Sequence, residues 1–321
     1  MQNISDMTDA PDVSRATIAE AYRRIAPAIR FTPVIDVTVE GLAQPVCLKL
    51  ECLQHTGSFK PRGAFANLLG AAIPAAGVAA ASGGNHGAAV AFAARAVGAP
   101  AHIFVPEQTP KPKIARIESY GAEVVLAGQR YAGALARSEE FVAQTGALAV
   151  QAYDSLATLN GQGTIGRELE EQAPDLDTVL VAVGGGGLIG GIAAWFHGGL
   201  KVVGVEPEGC NALHAALAAG RPVDVEPSGY AVDSLGASRV GSLVFPIARR
   251  AVERVVLVND RDIARARSWL WNELRLLTEP GGATAFAALL SGAYVAAPGE
   301  RVGIIICGAN TDPAAFSRES P

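Results

Sequence analysis

Lys60 stands in the run Gly57-Ser58-Phe59-Lys60-Pro61-Arg62-Gly63-Ala64, just after the strand-like stretch Val46 to Leu50. A loop rich in glycine and serine shapes backbone closely around something. A lysine held there and partly desolvated loses its proton near neutral pH and attacks a carbonyl as an amine. Most lysines in glycine-rich turns are instead solvated surface residues, so the assignment depends on the rest of the chain.

Two further loops carry chemistry. In Ala81-Ser82-Gly83-Gly84-Asn85-His86-Gly87, glycines allow close backbone approach, and the amides that open the next helix favour an anion such as a carboxylate. The same loop reads equally well as a tight strand–helix turn capped by Asn85. In Gly184-Gly185-Gly186-Gly187-Leu188, four consecutive glycines cost backbone entropy and make sense as a nest of N–H groups around a phosphate. Gly185, Gly187 and Gly190 also fit G-x-G-x-x-G, and Glu206 ends the next strand, which is a dinucleotide-binding signature. A nicotinamide dehydrogenase is therefore the rival reading of that segment, though it leaves Lys60 unexplained. Cys307, in Ile306-Cys307-Gly308-Ala309-Asn310, ends the last strand; alone it reads as a small buried hydrophobe.

These loops need elements to hold them. A helix is expected over Ser14 to Ile29, with Ile18, Ala21 and Ile25 on one face. Short apolar strands then alternate with helices. Strands are expected at Val78–Ala81, Ala101–Val105, Glu123–Leu126, Thr178–Val183, Lys201–Glu206, Arg254–Val258 and Arg301–Cys307. Helices are expected at Asn85–Val97, Lys111–Tyr120, Tyr131–Gln144, Leu188–Phe196, Asp260–Leu276 and Gly282–Ser291, and a loop at Asp154–Gly163. This alternation implies an α/β fold with mainly parallel, helix-flanked sheets and ligands at the carboxyl ends of strands. The first residues, Met1 to Ser14, read as polar and loose.

Composition narrows the class. The 321 residues are 50% apolar and 18% charged with net charge −5, so a large core is expected and disorder is not. No basic stripe suggests nucleic acid, no apolar run suggests a membrane span, and residues 1–30 lack a signal-peptide pattern. Cys47, Cys52, Cys210 and Cys307 have neither zinc-site nor disulfide-framework spacing, which points to a reducing cytoplasm.

Taken together and in order, Gly57–Ala64, Ser82–Gly87, Gly161–Gly166, Gly184–Leu188, Glu279-Pro280-Gly281-Gly282 and Cys307–Asn310 resemble the fold-type II pyridoxal-phosphate enzymes, in the branch of threonine/serine dehydratases and serine racemase. The resemblance implies a tryptophan synthase β-like architecture of two lobes. Residues 1–52 and 148–321 would form the larger, and residues 53–147 the smaller. It implies pyridoxal 5'-phosphate as cofactor, with Lys60 as its Schiff-base lysine and as the base at the substrate Cα. Phe59 would flank the ring and Asn85 would bond its hydroxyl. Gly184, Gly185, Gly186, Gly187 and Leu188 would hold the phosphate. Cys307 would face the pyridine nitrogen, with Gly236 and Glu279 beside the cofactor. Ser82, Gly83, Asn85, His86 and Tyr153 would line the amino-acid substrate. The implied reaction is α,β-elimination from an L-threonine or L-serine type substrate, giving a 2-oxo acid and ammonia, in a homodimer. A neutral thiol at the ring nitrogen favours elimination over transamination.

The departures from the family pattern are informative. Gly83 replaces the serine that serves serine racemase as its second acid/base, so little racemisation is expected. Gly83 would also leave room for a β-substituent bulkier than methyl, such as that of phenylserine; 3-hydroxyaspartate is another alternative substrate. Tyr153 stands where the racemase has asparagine and biosynthetic threonine dehydratases have phenylalanine. The family's divalent-cation site would use Glu206 and the carbonyl of Cys210, but Ala212 replaces its aspartate, so no strong cation site is expected. Little chain follows Cys307, so no regulatory domain is expected. An amino-acid racemase, a β-replacement enzyme and a non-catalytic cofactor carrier are the remaining alternatives.

Overall fold

Every strand of the core but one runs parallel to its neighbours, in two separate sheets. The computed structural model describes residues 13–314 and 316, so the expectation for Met1 to Ser14 falls almost entirely outside the described residues.

In chain order the elements are α1 (Arg15–Ile25), β1 (Val34–Val37), β2 (Val46–Lys49), α2 (Pro61–Leu68), β3 (Val78–Ala81), α3 (Asn85–Ala96), β4 (Ala101–Val105), α4 (Lys111–Glu118), β5 (Glu123–Leu126), α5 (Tyr131–Thr145) and β6 (Leu148–Ala149). They continue with α6 (Leu156–Gln172), β7 (Thr178–Ala182), α7 (Gly187–Phe196), β8 (Lys201–Pro207), α8 (Ala212–Ala219), α9 (Val232–Leu235), α10 (Val244–Ala251), β9 (Arg254–Val258), α11 (Asp260–Leu274), α12 (Pro280–Ser291) and β10 (Val302–Ile305). One sheet has the order β1-β2-β10-β7-β8-β9 and the other β5-β4-β3-β6. The antiparallel exception is β1 on β2, from Val34 opposite Lys49 to Val37 opposite Val46.

β3, β7 and β10 are buried along their whole length, as strands that read as continuous apolar runs require. α1 is shorter than expected: Ser14 caps it, and Pro27 ends it in a 3-10 turn over Ala26–Ala28. Leu148 and Ala149 pair with Val78 and Ala79, so the smaller sheet keeps the chain past residue 147, where the larger lobe was expected to resume.

The expected loop at Asp154–Gly163 is overturned. Ser155 caps a 17-residue helix, α6, and the glycines that suggested a loop are close-packing residues. A Cβ on Gly161 would lie 2.5 Å from the carbonyl oxygen of Arg62 and 2.7 Å from Gly63 Cα. One on Gly163 would lie 2.6 Å from Ile18, and one on Gly191 would lie 2.4 Å from the carbonyl oxygen of Leu159. Helices α2 and α7 thus rest on α6 with backbone against backbone. The helical cost of each glycine, about 1 kcal/mol, is offset by that approach.

Beside this contact lies a fully buried charge network. Arg62 donates to both oxygens of Glu51 (2.8 and 2.7 Å) and both of Glu168 (2.7 and 2.8 Å). Lys49 donates to Glu168 at 2.6 Å, to the Thr32 carbonyl at 2.7 Å and to Gln172 at 2.7 Å. Two cations meet two carboxylates, so each buried charge has a partner. The network pins the start of α2, two residues beyond Lys60, to β2 and α6.

Candidate active site

Lys60 is the N-cap of α2, and its Nζ donates to the carbonyl of Ala152 at 2.9 Å. Burial brings its pKa down to about 8, against the opposing influence of Cys307 and Glu279. Nζ lies 5.1 Å from the centre of the Phe59 ring. The amide of Phe59 donates to the Cys307 carbonyl at 3.2 Å, which ties the lysine loop to the end of β10. The Cys307 thiol donates to the Gly281 carbonyl at 3.3 Å, and burial holds its pKa well above the usual range, so the sulfur is neutral.

The segment that receives Lys60 also shapes the glycine loop. The ring of Tyr153, the residue after Ala152, lies flat against Gly185: a Cβ there would be 2.4 Å from the ring. A Cβ on Gly187 would be 2.9 Å from Tyr153 Cα, and one on Gly184 would be 3.2 Å from Leu235 Cα. Gly186 has φ +91°, a conformation that favours glycine. The first amide of α7 to reach a backbone carbonyl is that of Gly190, bonded to Gly186 at 2.8 Å. Among the described residues, the amides of Gly184 through Leu188 have no acceptor. This is a row of free N–H donors at a helix N-terminus, shaped for phosphate.

A polar relay closes the opposite side. Asn85 Nδ2 donates to Glu279 at 2.6 Å, while Asn85 Oδ1 accepts from Asn310 Nδ2 at 2.6 Å. Asn310 Oδ1 in turn accepts from Arg116 at 2.5 Å, and Arg116 also donates to the Thr56 carbonyl at 2.7 Å. Burial raises the Glu279 carboxyl to about 7; Asn85, Lys113, Arg116 and Lys60 pull the other way. Asn310 was legible only as part of a motif. Arg116 carried no signal, because a lone arginine on an exposed helix is ordinary.

The structure alters several expectations. His86 turns inward and Nε2 meets the Val150 carbonyl at 2.8 Å. Burial and the neighbouring Lys60 push it down to about 3, so it is a neutral donor, and only its backbone faces the loop. Ser82 Oγ accepts from the Gly84 amide at 3.2 Å. Gly83 does not leave extra room: a Cβ there would lie 2.8 Å from Thr109 Cγ2 and 3.0 Å from Thr109 Oγ1, so Thr109 fills that space. Tyr153 packs on the glycine loop, and its hydroxyl reaches the Arg239 carbonyl at 3.4 Å. Gly236 follows α9, where a Cβ would be 2.3 Å from the Val232 carbonyl oxygen.

Glu206 is fully buried, and its two oxygens accept the amides of Leu213 (2.8 Å) and His214 (2.7 Å), capping α8. Burial raises its pKa to about 8 in spite of those two donors. A carboxylate used this way is not presented to a ribose, which removes the acidic half of the dinucleotide signature.

The free amides at Gly184–Leu188, the lysine with lowered pKa and the neutral thiol together fit pyridoxal phosphate: an anion cradle, an amine and a non-ionic partner for a ring nitrogen. The comparisons with known proteins agree. Residues 25–308 match the family described as pyridoxal-phosphate dependent enzyme. The chain is 40% identical over 324 residues to phenylserine dehydratase of Ralstonia pickettii, covering 98% of this chain and 97% of the relative. It is 38% identical to L-threonine ammonia-lyase of Geobacter sulfurreducens, covering 92% and 75%. Its fold superposes on maize serine racemase with TM-score 0.89 at 32% identity, covering 95% of this chain and 96% of that one. Among the described residues no helix is long and apolar enough to cross a membrane. The chain belongs to the fold-type II pyridoxal-phosphate dependent enzymes.

Proposed function

We propose that this enzyme is a dehydratase (ammonia-lyase) of β-hydroxy amino acids, releasing a 2-oxo acid and ammonia. The observation that carries the reading is the segment Ala152–Tyr153, which receives the Lys60 amine on one residue and packs against Gly185 and Gly187 with the next. One continuous piece of chain thus relates the amine to the phosphate cradle. Relatives named for phenylserine and for threonine bracket the substrate class.

Bound pyridoxal phosphate supplies the electron sink that makes a Cα proton removable. Lys60 would carry the cofactor and, as a free amine, would take the Cα proton. The amides of Gly184 to Leu188 would hold the phosphate, Phe59 and Gly236 would lie beside the ring, and the neutral Cys307 thiol would be the partner of its nitrogen. Asn85, held between Glu279 and Asn310, would bond the ring hydroxyl. The loop from Ser82 to His86, opening α3, holds the substrate carboxylate. Loss of the Cα proton and of the β-hydroxyl as water leaves an enamine, which hydrolyses to the 2-oxo acid and ammonia. We also assign the two sheets to two lobes that meet at this cleft, and propose a cytoplasmic homodimer.

The test is 2-oxo acid release across L-threonine, L-serine, L-threo-phenylserine and 3-hydroxyaspartate. A yellow holoenzyme whose visible band is lost on borohydride treatment and that turns over at least one of these supports the reading. Release of no 2-oxo acid from any of them overturns it.

A further inference from the structure

Residue 83 has no side chain, yet its place is taken. Thr109, in the loop between β4 and α4, puts its methyl and hydroxyl 2.8 and 3.0 Å from where a Cβ on Gly83 would stand. The next glycine is different: a Cβ on Gly84 would meet nothing within 4 Å, so the open side of the loop lies there. Thr109 is half-buried, and among the described residues its hydroxyl has no hydrogen-bond partner. Its position is set by stiff backbone, with Pro106 and Pro110 on either side and its own amide bonded to the Pro106 carbonyl at 2.9 Å. The helix it precedes is tied to the larger sheet's loops through Arg116 to Asn310 and Lys113 to Asp233, the latter at 3.1 Å.

We propose that Thr109 is a substrate-positioning residue that supplies, from a neighbouring loop, the side chain that Gly83 lacks. Its methyl walls the Ser82–Asn85 loop, and its Oγ1 donates a hydrogen bond to the substrate carboxylate. The carboxylate's place rests on the reading above. A side chain at 83 would crowd Thr109 where it now stands, so one of the two has to move.

The test titrates holoenzyme with L-alanine, which carries the carboxylate but no β-hydroxyl, following visible absorbance, alongside turnover of the best β-hydroxy amino acid. Thr109→Val keeps the shape and removes the hydroxyl. It should weaken L-alanine binding roughly tenfold, with the loss of turnover falling on KM more than on kcat, as for a bond to a charged group. Thr109→Ser should restore binding. Gly83→Ser should lower thermal stability and L-alanine affinity, and Gly83→Ser with Thr109→Ala should recover both. Wild-type affinity in Thr109→Val, or a double variant no better than Gly83→Ser, would overturn the proposal. If no β-hydroxy amino acid is turned over, the dehydratase reading fails, while the L-alanine titration still decides the role of Thr109.

Discussion

Asn85 and Glu279 are joined by a 2.6 Å hydrogen bond although 194 residues separate them, and the bond runs from the start of one helix to the residue that opens another. Because Asn85 also accepts from Asn310, its amide orientation is fixed: nitrogen toward Glu279, oxygen toward Asn310. Asn85→Ala should lower kcat/KM roughly tenfold to a hundredfold, since the buried Glu279 carboxyl loses its donor and the half-buried Asn310 amide loses one of its two acceptors. Steady-state kinetics with a parallel absorbance spectrum checks this; the spectrum should still show the lysine-bound cofactor.

Lys60→Ala should abolish turnover, and borohydride should no longer fix cofactor to the protein. The lowered pKa of about 8 gives a second readout in the apoenzyme. Below that pH the amine is protonated and inert, and above it the free base attacks. The rate of reconstitution with pyridoxal phosphate should therefore rise with pH and level off above about 8. A rate that is flat from pH 6 to 9 would contradict this.

Arg62 offers a test of how the lysine loop is held. Arg62→Met leaves Glu51 and Glu168 buried without their main counter-charge. The expected cost is about 3–5 kcal/mol in chemical denaturation. The holoenzyme should also hold its cofactor less firmly, because the start of α2 loses its tether.

Glu206 sets a pH dependence of opposite sense to that of a paired carboxylate. Its folded pKa of about 8 lies above its ordinary value of 4.5, so the folded state keeps a proton that the unfolded state has lost. Its contribution is therefore full below about 4.5 and is lost as pH rises to about 8. Denaturation midpoints at pH 5, 6.5 and 8 should fall in that order, and Glu206→Gln should flatten the trend.

Gly83 bears no proton to exchange, the Thr109 hydroxyl beside it is assigned to the substrate carboxylate, and on the proposed reading Lys60 would be the one base at Cα. Elimination should thus run without racemisation: chiral analysis of an L-substrate reaction should find 2-oxo acid release far ahead of D-enantiomer formation.

Much of this was legible in the residues themselves. The buried strands of both sheets announce themselves as short apolar runs, and Arg254–Val258 is a strand to the residue. Lys60, the four glycines and Cys307 stand out because each is hard to explain by packing alone. β1 was missed because it is short and only half-buried. Thr109 was invisible for another reason: it acts by filling a space that another residue leaves, and sequence does not show which loops touch. α6 was misread because glycine signals flexibility in isolation and close approach in context.

α2 begins beside the Lys60 amine, α7 begins at the glycine loop, and both meet α6 main chain against main chain at Gly161 and Gly191. The span from amine to cradle is therefore gauged by backbone thickness, which no rotamer can adjust. One methyl group added at Gly161 or Gly191, remote from any reacting atom, would lengthen the gauge and put the two ends of the cofactor out of measure.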